Sequence, residues 1–197
     1  MRPRQLLAVL LLGVSLSGCG YNRIQELDER TEEVKSNIGV ELTNRNNLIP
    51  NLVKTVEGAA EFERGTFTEV ARARSGLQQA QQQVAGAVQS GDPQQMAGAE
   101  ASLNRQIGTY LNIAVEAYPQ LRAQQNFQGL QDQLTESENR ISVARRDYNE
   151  AVQQYNTYIR KFPQAITAKV TGADRKEPYQ APAGSEATPE VNFGTGK

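Results

Sequence analysis

Residues 127–162 read FQGLQDQLTESENRISVARRDYNEAVQQYNTYIRKF. Stepping alternately by three and four from Phe127 visits Leu130, Leu134, Ser137, Ile141, Ala144, Tyr148, Ala151, Tyr155, Tyr158 and Phe162, and only Ser137 is polar. A 3.5-residue repeat sustained this long marks the buried seam of a helical bundle or coiled coil. At the α-helical rise the stretch predicts a helix roughly 54 Å long.

The same stride reads the chain upstream. Ile24, Leu27, Thr31, Val34 and Ile38 form one strip, and Leu48, Leu52, Val56 and Ala59 continue it after a drift of phase. Val70, Ala73, Leu77, Ala80, Val84 and Ala87 form a second, and Met96, Ala99, Leu103, Ile107, Tyr110 and Ala114 a third. Between strips, Ser90-Gly91-Asp92-Pro93 reads as a helix end, an Asp N-cap and a first-turn proline. Pro119 ends or kinks the helix before it. Arg64-Gly65-Thr66 is a weaker boundary. The punctuation predicts an all-α fold: an elongated antiparallel bundle of about four helices, near 20–63, 66–89, 93–117 and 120–162. The glutamine run 78–83 fits inside it, with Leu77 and Ala80 facing in and the glutamines covering a wet face.

The two ends differ from this body. Met1-Arg2-Pro3-Arg4-Gln5 is basic, and Leu6 to Leu16 is apolar. That order is a secretory signal, with an apolar run too short to span a membrane. Leu16-Ser17-Gly18-Cys19 resembles a bacterial lipobox. It implies a signal peptide over 1–18 and a mature chain beginning at an acylated Cys19, the only cysteine. Two or more acyl chains anchor a protein stably. In such lipoproteins Gly20 favours sorting to the outer over the inner membrane. Losing Arg2 and Arg4 leaves the mature chain mildly acidic, so anionic headgroups are not the anchor. At the other end, 164–197 carries Gly172, Pro178, Pro182, Gly184, Pro189, Gly194 and Gly196, with few large apolar groups. It reads as a flexible, disordered C-terminal tail after a 19–163 bundle, with Tyr179 and Val191-Asn192-Phe193 as its only anchors.

Composition narrows the chemistry. With 21 Lys+Arg against 22 Asp+Glu, nothing points to nucleic acid. The absence of His excludes His-based triads, Cys/His zinc sites and Glu-x-x-His di-iron sites. No catalytic constellation, metal site or cofactor is expected, and the chain reads as a non-enzyme.

Two stretches stand out. One is LTNRNNLIPNLVKTVEG over 42–58, and the other is LTESENRISVARRDYNEAV over 134–152, running on to Tyr155-Asn156 and Phe162-Pro163. With Ala71-Arg72-Ala73-Arg74, Ala117-Tyr118-Pro119 and Asn126-Phe127, they resemble the LemA family of bacterial envelope proteins over roughly 21–193. The resemblance implies a helical, membrane-tethered domain facing away from the cytoplasm, with no known enzymatic activity. Gene neighbourhoods in the family suggest an envelope partner from membrane quality control, such as a membrane zinc metalloprotease. Asn47 stands where the family commonly has Asp, and Glu61-Phe62-Glu63 replaces a usual His-Glu pair. The lipid on Cys19 takes the place of the more usual single membrane helix.

Candidate interaction residues follow from physical character. Pro50 inside a helical pattern predicts a kink, with Asn46, Asn47 and Asn51 placed to satisfy freed carbonyls; it is a built-in bend or a polar docking notch. Glu138, Asn139, Arg140, Arg145 and Arg146 flank the long seam, where charges set register and partner choice. Tyr148-Asn149 and Tyr155-Asn156 repeat one heptad apart, which predicts a polar ladder against the first helix. The alternative is an anion or peptide site at Arg145, Arg146 and Tyr148. These features predict a lipid-anchored, periplasm-facing scaffold or protein-interaction module. The rival readings are a helical carrier with an enclosed apolar slot and, third, a hydrolase.

Overall fold

The computed structural model describes residues 3–60 and 67–180, with side chains described for 20–58 and 68–180. Six α-helices follow in order: α1 Pro3–Asn46, α2 Ile49–Ala60, α3 Phe67–Ser90, α4 Pro93–Ala117, α5 Gln125–Tyr158 and α6 Gln164–Thr171. A 3₁₀ turn over Pro119–Ala123 joins α4 to α5. No strand occurs among the described residues, so the all-α expectation holds. No helix among them is long and apolar enough to cross a membrane.

The strips are the buried faces. Every seam position from Phe127 to Tyr155 is buried, as are Ile24, Leu27, Thr31, Val34 and Ile38, and all six residues from Met96 to Ala114 in the third strip. Thr31 tolerates burial because its hydroxyl donates to the Asp28 carbonyl at 2.7 Å, one turn back. In the glutamine run Leu77 and Ala80 are buried, while Gln78, Gln79, Gln82 and Gln83 face solvent.

Helix ends obey local chemistry. Asp92 caps α4, its Oδ1 accepting from the Gln94 amide at 2.8 Å, and Pro93 occupies the first turn, where a missing N–H costs nothing. Gly91 closes α3 at φ 66°, a left-handed conformation that a Cβ would strain.

Several boundaries differ from expectation. The first helix, expected over 20–63 with a kink at Pro50, stops at Asn46, turns at 47–48 and restarts at Ile49. Pro50 therefore sits in the first turn of α2, with no backbone donor required of it. The expected start of the last long helix, near 120, is a 3₁₀ turn instead, and α5 ends at Tyr158. Phe162, the last position of the seam, is 82% exposed. Pro163 follows it and disfavours helical backbone at Phe162.

The chain forms two compact units. One comprises Met1–Arg45 and Gln133–Tyr179, and the other takes Asn46–Asp132. In the first unit, Ile24 and Leu27 share a cluster with Tyr155, Ile159 and Ala168, whereas Arg45 meets Glu138. α1 and α5 therefore pass in opposite directions there. In the second unit α3 packs on α4, and both α2 and α4 contact the 3₁₀ turn. Residues 164–180, expected to belong to the tail, are helical over Gln164–Thr171 and then bonded to α5 by their main chain. Side-chain amides supply cohesion that the composition of the segment lacks. The side chain of Cys19, the expected point of acylation, lies outside those described, as do residues 181–197 with the expected Val191-Asn192-Phe193 anchor and the Arg64-Gly65-Thr66 boundary.

Candidate interaction surfaces

Pro50 shapes the first surface. A proline at 50 leaves the Asn46 carbonyl without its helical donor. Gln81 of α3 supplies one: its Nε2 donates to that carbonyl at 3.2 Å, and Asn46 Nδ2 returns a bond to the Gln81 carbonyl at 3.4 Å. The freed carbonyl is thus satisfied by a glutamine 35 positions away that sequence reading placed on the wet face, while the Asn46 side chain bonds across to that glutamine's own carbonyl. Asn47, Pro50 and Asn51 are exposed. Thr55 Oγ1 donates to the Asn51 carbonyl at 2.9 Å.

The second surface centres on Glu138 of α5. One carboxylate oxygen takes Arg45 Nη1 of α1, and the other lies 3.4 Å from Arg145 Nη2, one heptad along. The pairing of Glu138 with Arg145 follows from their spacing; Arg45 was missed. It sits inside the strip, three residues after buried Leu42 and four before buried Ile49, and continuing the stride through this polar position reveals it. The Arg45 side chain is 7% exposed against 35% for Glu138, and its Nε is buried without a hydrogen-bond partner. Arg140 pairs with Glu136 at 3.0 Å on the exposed face, and Asn139 and Arg146 are exposed.

Tyr148 and Asn149 face a different neighbour from the one expected. Both tyrosines of the repeat, Tyr148 and Tyr155, are buried in the seam. The ladder beside them, however, holds the segment after α6. Asn149 accepts from the Tyr179 amide at 2.7 Å and donates to the Tyr179 carbonyl at 3.1 Å. Asn156 does the same to Lys176, at 2.9 and 2.8 Å. The Tyr148 hydroxyl donates to the Glu177 carbonyl at 2.9 Å. Arg145 turns to Glu138, and Tyr148 donates to Glu177.

Lys176 completes this contact. Its ammonium lies 2.9 Å from Asp28 and 2.8 Å from Glu32 on α1, and 5.5 Å from the Tyr155 ring centroid. Burial disfavours the charged lysine, but bonds to Glu32 and Asp28 outweigh it and raise its pKa above the ordinary 10.5. On Glu32, burial is likewise outweighed, by bonds from Lys176 and Lys35, and its pKa falls below 4.5. Burial, with Asp28 nearby, raises the Tyr155 phenol.

On the other flank of the α1–α5 seam lies an open-sided groove of about 400 Å³. Asp147 lines it while Asn149, two positions on and so about 200° around the helix, faces the Lys176–Tyr179 segment. Val34, Asn37 and Glu41 form the α1 wall; Asn139, Arg140 and Val143 are prominent on the α5 wall. Val143 is 47% exposed.

Heptad seams, a polar helix break, main-chain clasps and an open groove define an all-helical protein. The chain belongs to the LemA family, whose profile matches residues 34–193. Magnetosome proteins MamQ 1 and MamQ 2 of Paramagnetospirillum magneticum are each 30% identical over 181 residues, covering 83% of this chain. The matched region spans 66% of the length of each of these relatives. Magnetosome protein MamQ of Magnetospirillum gryphiswaldense is 27% identical over 190 residues, covering 87% of this chain and 70% of the relative.

Proposed function

We propose that the chain is a membrane-anchored scaffold or protein-interaction module of the bacterial cell envelope, working without catalysis. The observation that carries this reading is the open α1–α5 groove. It brings Asn139 and Arg140, picked out by their motif, to solvent beside an exposed valine. Open, mixed polar and apolar surface of this kind suits a macromolecular partner. A carrier needs an enclosed apolar slot, and a groove rimmed by Glu41, Glu136 and Asp147 does not supply one. A hydrolase needs convergent unpaired groups, whereas Glu138, Glu136 and Glu57 each pair with an arginine.

The anchor in this reading is acylated Cys19, which holds the helical domain on the periplasmic side, at the outer membrane. The likeness to magnetosome proteins supports a membrane-linked role, and membrane quality-control machinery is the partner class. A photocrosslinker at Asn139, in cells, tests the groove: discrete protein adducts identified by mass spectrometry are expected, and their absence would sink the groove as the interaction surface. Replacing Cys19 by Ser and fractionating cells tests the anchor. Retention on the membrane with unchanged mass would refute acylation.

A further inference from the structure

The contacts at Asn149 and Asn156 have the form of a peptide-binding site. Each side-chain amide satisfies both main-chain groups of one residue, so recognition is of extended backbone. The spacings match. One heptad of helix advances about 10.5 Å, and three residues of extended chain advance about 10 Å. Asn156 to Asn149 therefore steps in register with Lys176 to Tyr179, the segment running opposite to α5. Tyr148 adds a bond to the carbonyl at Glu177, between the two clasps.

Two side chains of the bound segment carry selectivity. Lys176 enters a corner formed by Asp28, Glu32 and the Tyr155 ring, where its charge is complemented. Tyr179 is 4% exposed, while Asp174, Arg175, Glu177 and Pro178 are all exposed. The segment is held by a buried tyrosine, an ionic anchor, Ala173 against the Ile24–Ile159 cluster, and main-chain bonds to Asn149, Asn156 and Tyr148. Exposed positions on either side of the anchors are a mark of an element that opens locally, at lower cost than the fold it rests on.

We infer that this flank of the α1–α5 pair is a docking site for extended peptides bearing a lysine three residues before a tyrosine. Residues 176–179 occupy it in cis and compete with such a segment from another protein. The inference deepens the interaction reading but uses a different flank of the helices from the open groove.

The test uses the full-length chain carrying Lys176→Glu and Tyr179→Ala, which weakens the resident segment and leaves the receiving residues intact. A fluorescent peptide of residues 173–180 is titrated against it, with circular dichroism confirming the fold. Saturable binding is expected. It should be at least tenfold weaker to the unaltered chain, whose own segment competes, and at least tenfold weaker after adding Asn149→Ala and Asn156→Ala. No binding to the folded variant would overturn the site and leave a structural strap only. Should the variant not fold, hydrogen exchange on the unaltered chain decides. The Lys176 and Tyr179 amides are expected to exchange at least tenfold faster than the α5 amides near Ile141, and exchange only with global unfolding would overturn the proposal. A crosslinking failure at Asn139 would strike the groove reading alone, since that residue lies on the other flank.

Discussion

The guanidinium of Arg45 is buried against the carboxylate of Glu138, a partner 93 positions further along the chain. The two differ in what they lose on separation. Glu138 is a third exposed and can recover water, while Arg45 cannot. Removing one partner of a buried pair leaves an uncompensated charge, whereas replacing the buried member by an apolar group of similar volume is often close to neutral. Glu138→Gln should therefore destabilise the protein by about 2–3 kcal/mol, and Arg45→Met by no more than about 1 kcal/mol. Urea denaturation of both variants checks the asymmetry. Equal losses would show that the pair serves packing instead of charge burial.

The reciprocal amides of Asn46 and Gln81 predict a coupling with Pro50. Gln81→Ala removes the donor to the Asn46 carbonyl and should cost about 1 kcal/mol. Pro50→Ala restores a backbone N–H four residues after Asn46, which can serve the same carbonyl. In the Pro50→Ala background, Gln81→Ala should cost less than half as much. A double-mutant cycle by chemical denaturation measures this, and strict additivity would show that Gln81 is not capping the break.

How much of this was legible follows from where each signal resides. The seams were readable because burial in a helix repeats every 3.5 residues, so Ile24 to Ile38 and Phe127 to Tyr155 announce themselves locally. The break at 47–48 was not, because a proline four residues after Asn46 is compatible with a kink or with a new first turn. The choice depends on Gln81 reaching across from another helix. Arg45 was hidden by the habit of assigning charges to the surface. The 172–180 segment was misread for a deeper reason. Tyr179 was legible as an anchor, but the composition has few other apolar groups, and the main-chain bonding to Asn149 and Asn156 leaves no trace in the segment's own residues. The repeat singles out Asn149 and Tyr148, but a heptad shows which way a residue faces and not what meets it.

The ionic corner at Lys176 sets a pH window. Glu32 titrates below its usual 4.5, so its contribution is complete above that value and is lost as pH falls through the lowered pKa. Lys176 titrates above 10.5, so its contribution is complete below that value and is lost as pH rises through the raised pKa. Exchange protection of the Tyr179 amide should stay flat between these limits and fall on either side. Lys176→Met should abolish the dependence at both ends while leaving the α5 amides protected. Unchanged pH dependence in Lys176→Met would remove the ionic corner from the account.

Tyr110 supplies the sharpest alkaline test. Burial, reinforced by the nearby negative charge of Glu57, pushes its phenol up to about 12 from 10.0. Its ring is 1% exposed and its hydroxyl is buried without a hydrogen-bond partner. The folded state therefore retains a proton that the unfolded chain releases near pH 10, and this contribution to stability declines from there towards pH 12. Tyr110→Phe removes both the titration and the unsatisfied hydroxyl. Near pH 7 it should be neutral or stabilising by up to about 1 kcal/mol, because no protein bond is lost and a desolvated polar group is deleted. Between pH 10 and 12 its stability should fall less steeply than that of the unaltered chain. Urea midpoints at pH 7, 10 and 11.5 read both effects. A clear loss of stability at pH 7 would show that the hydroxyl has a bonding partner in solution, and the raised pKa would then need another cause.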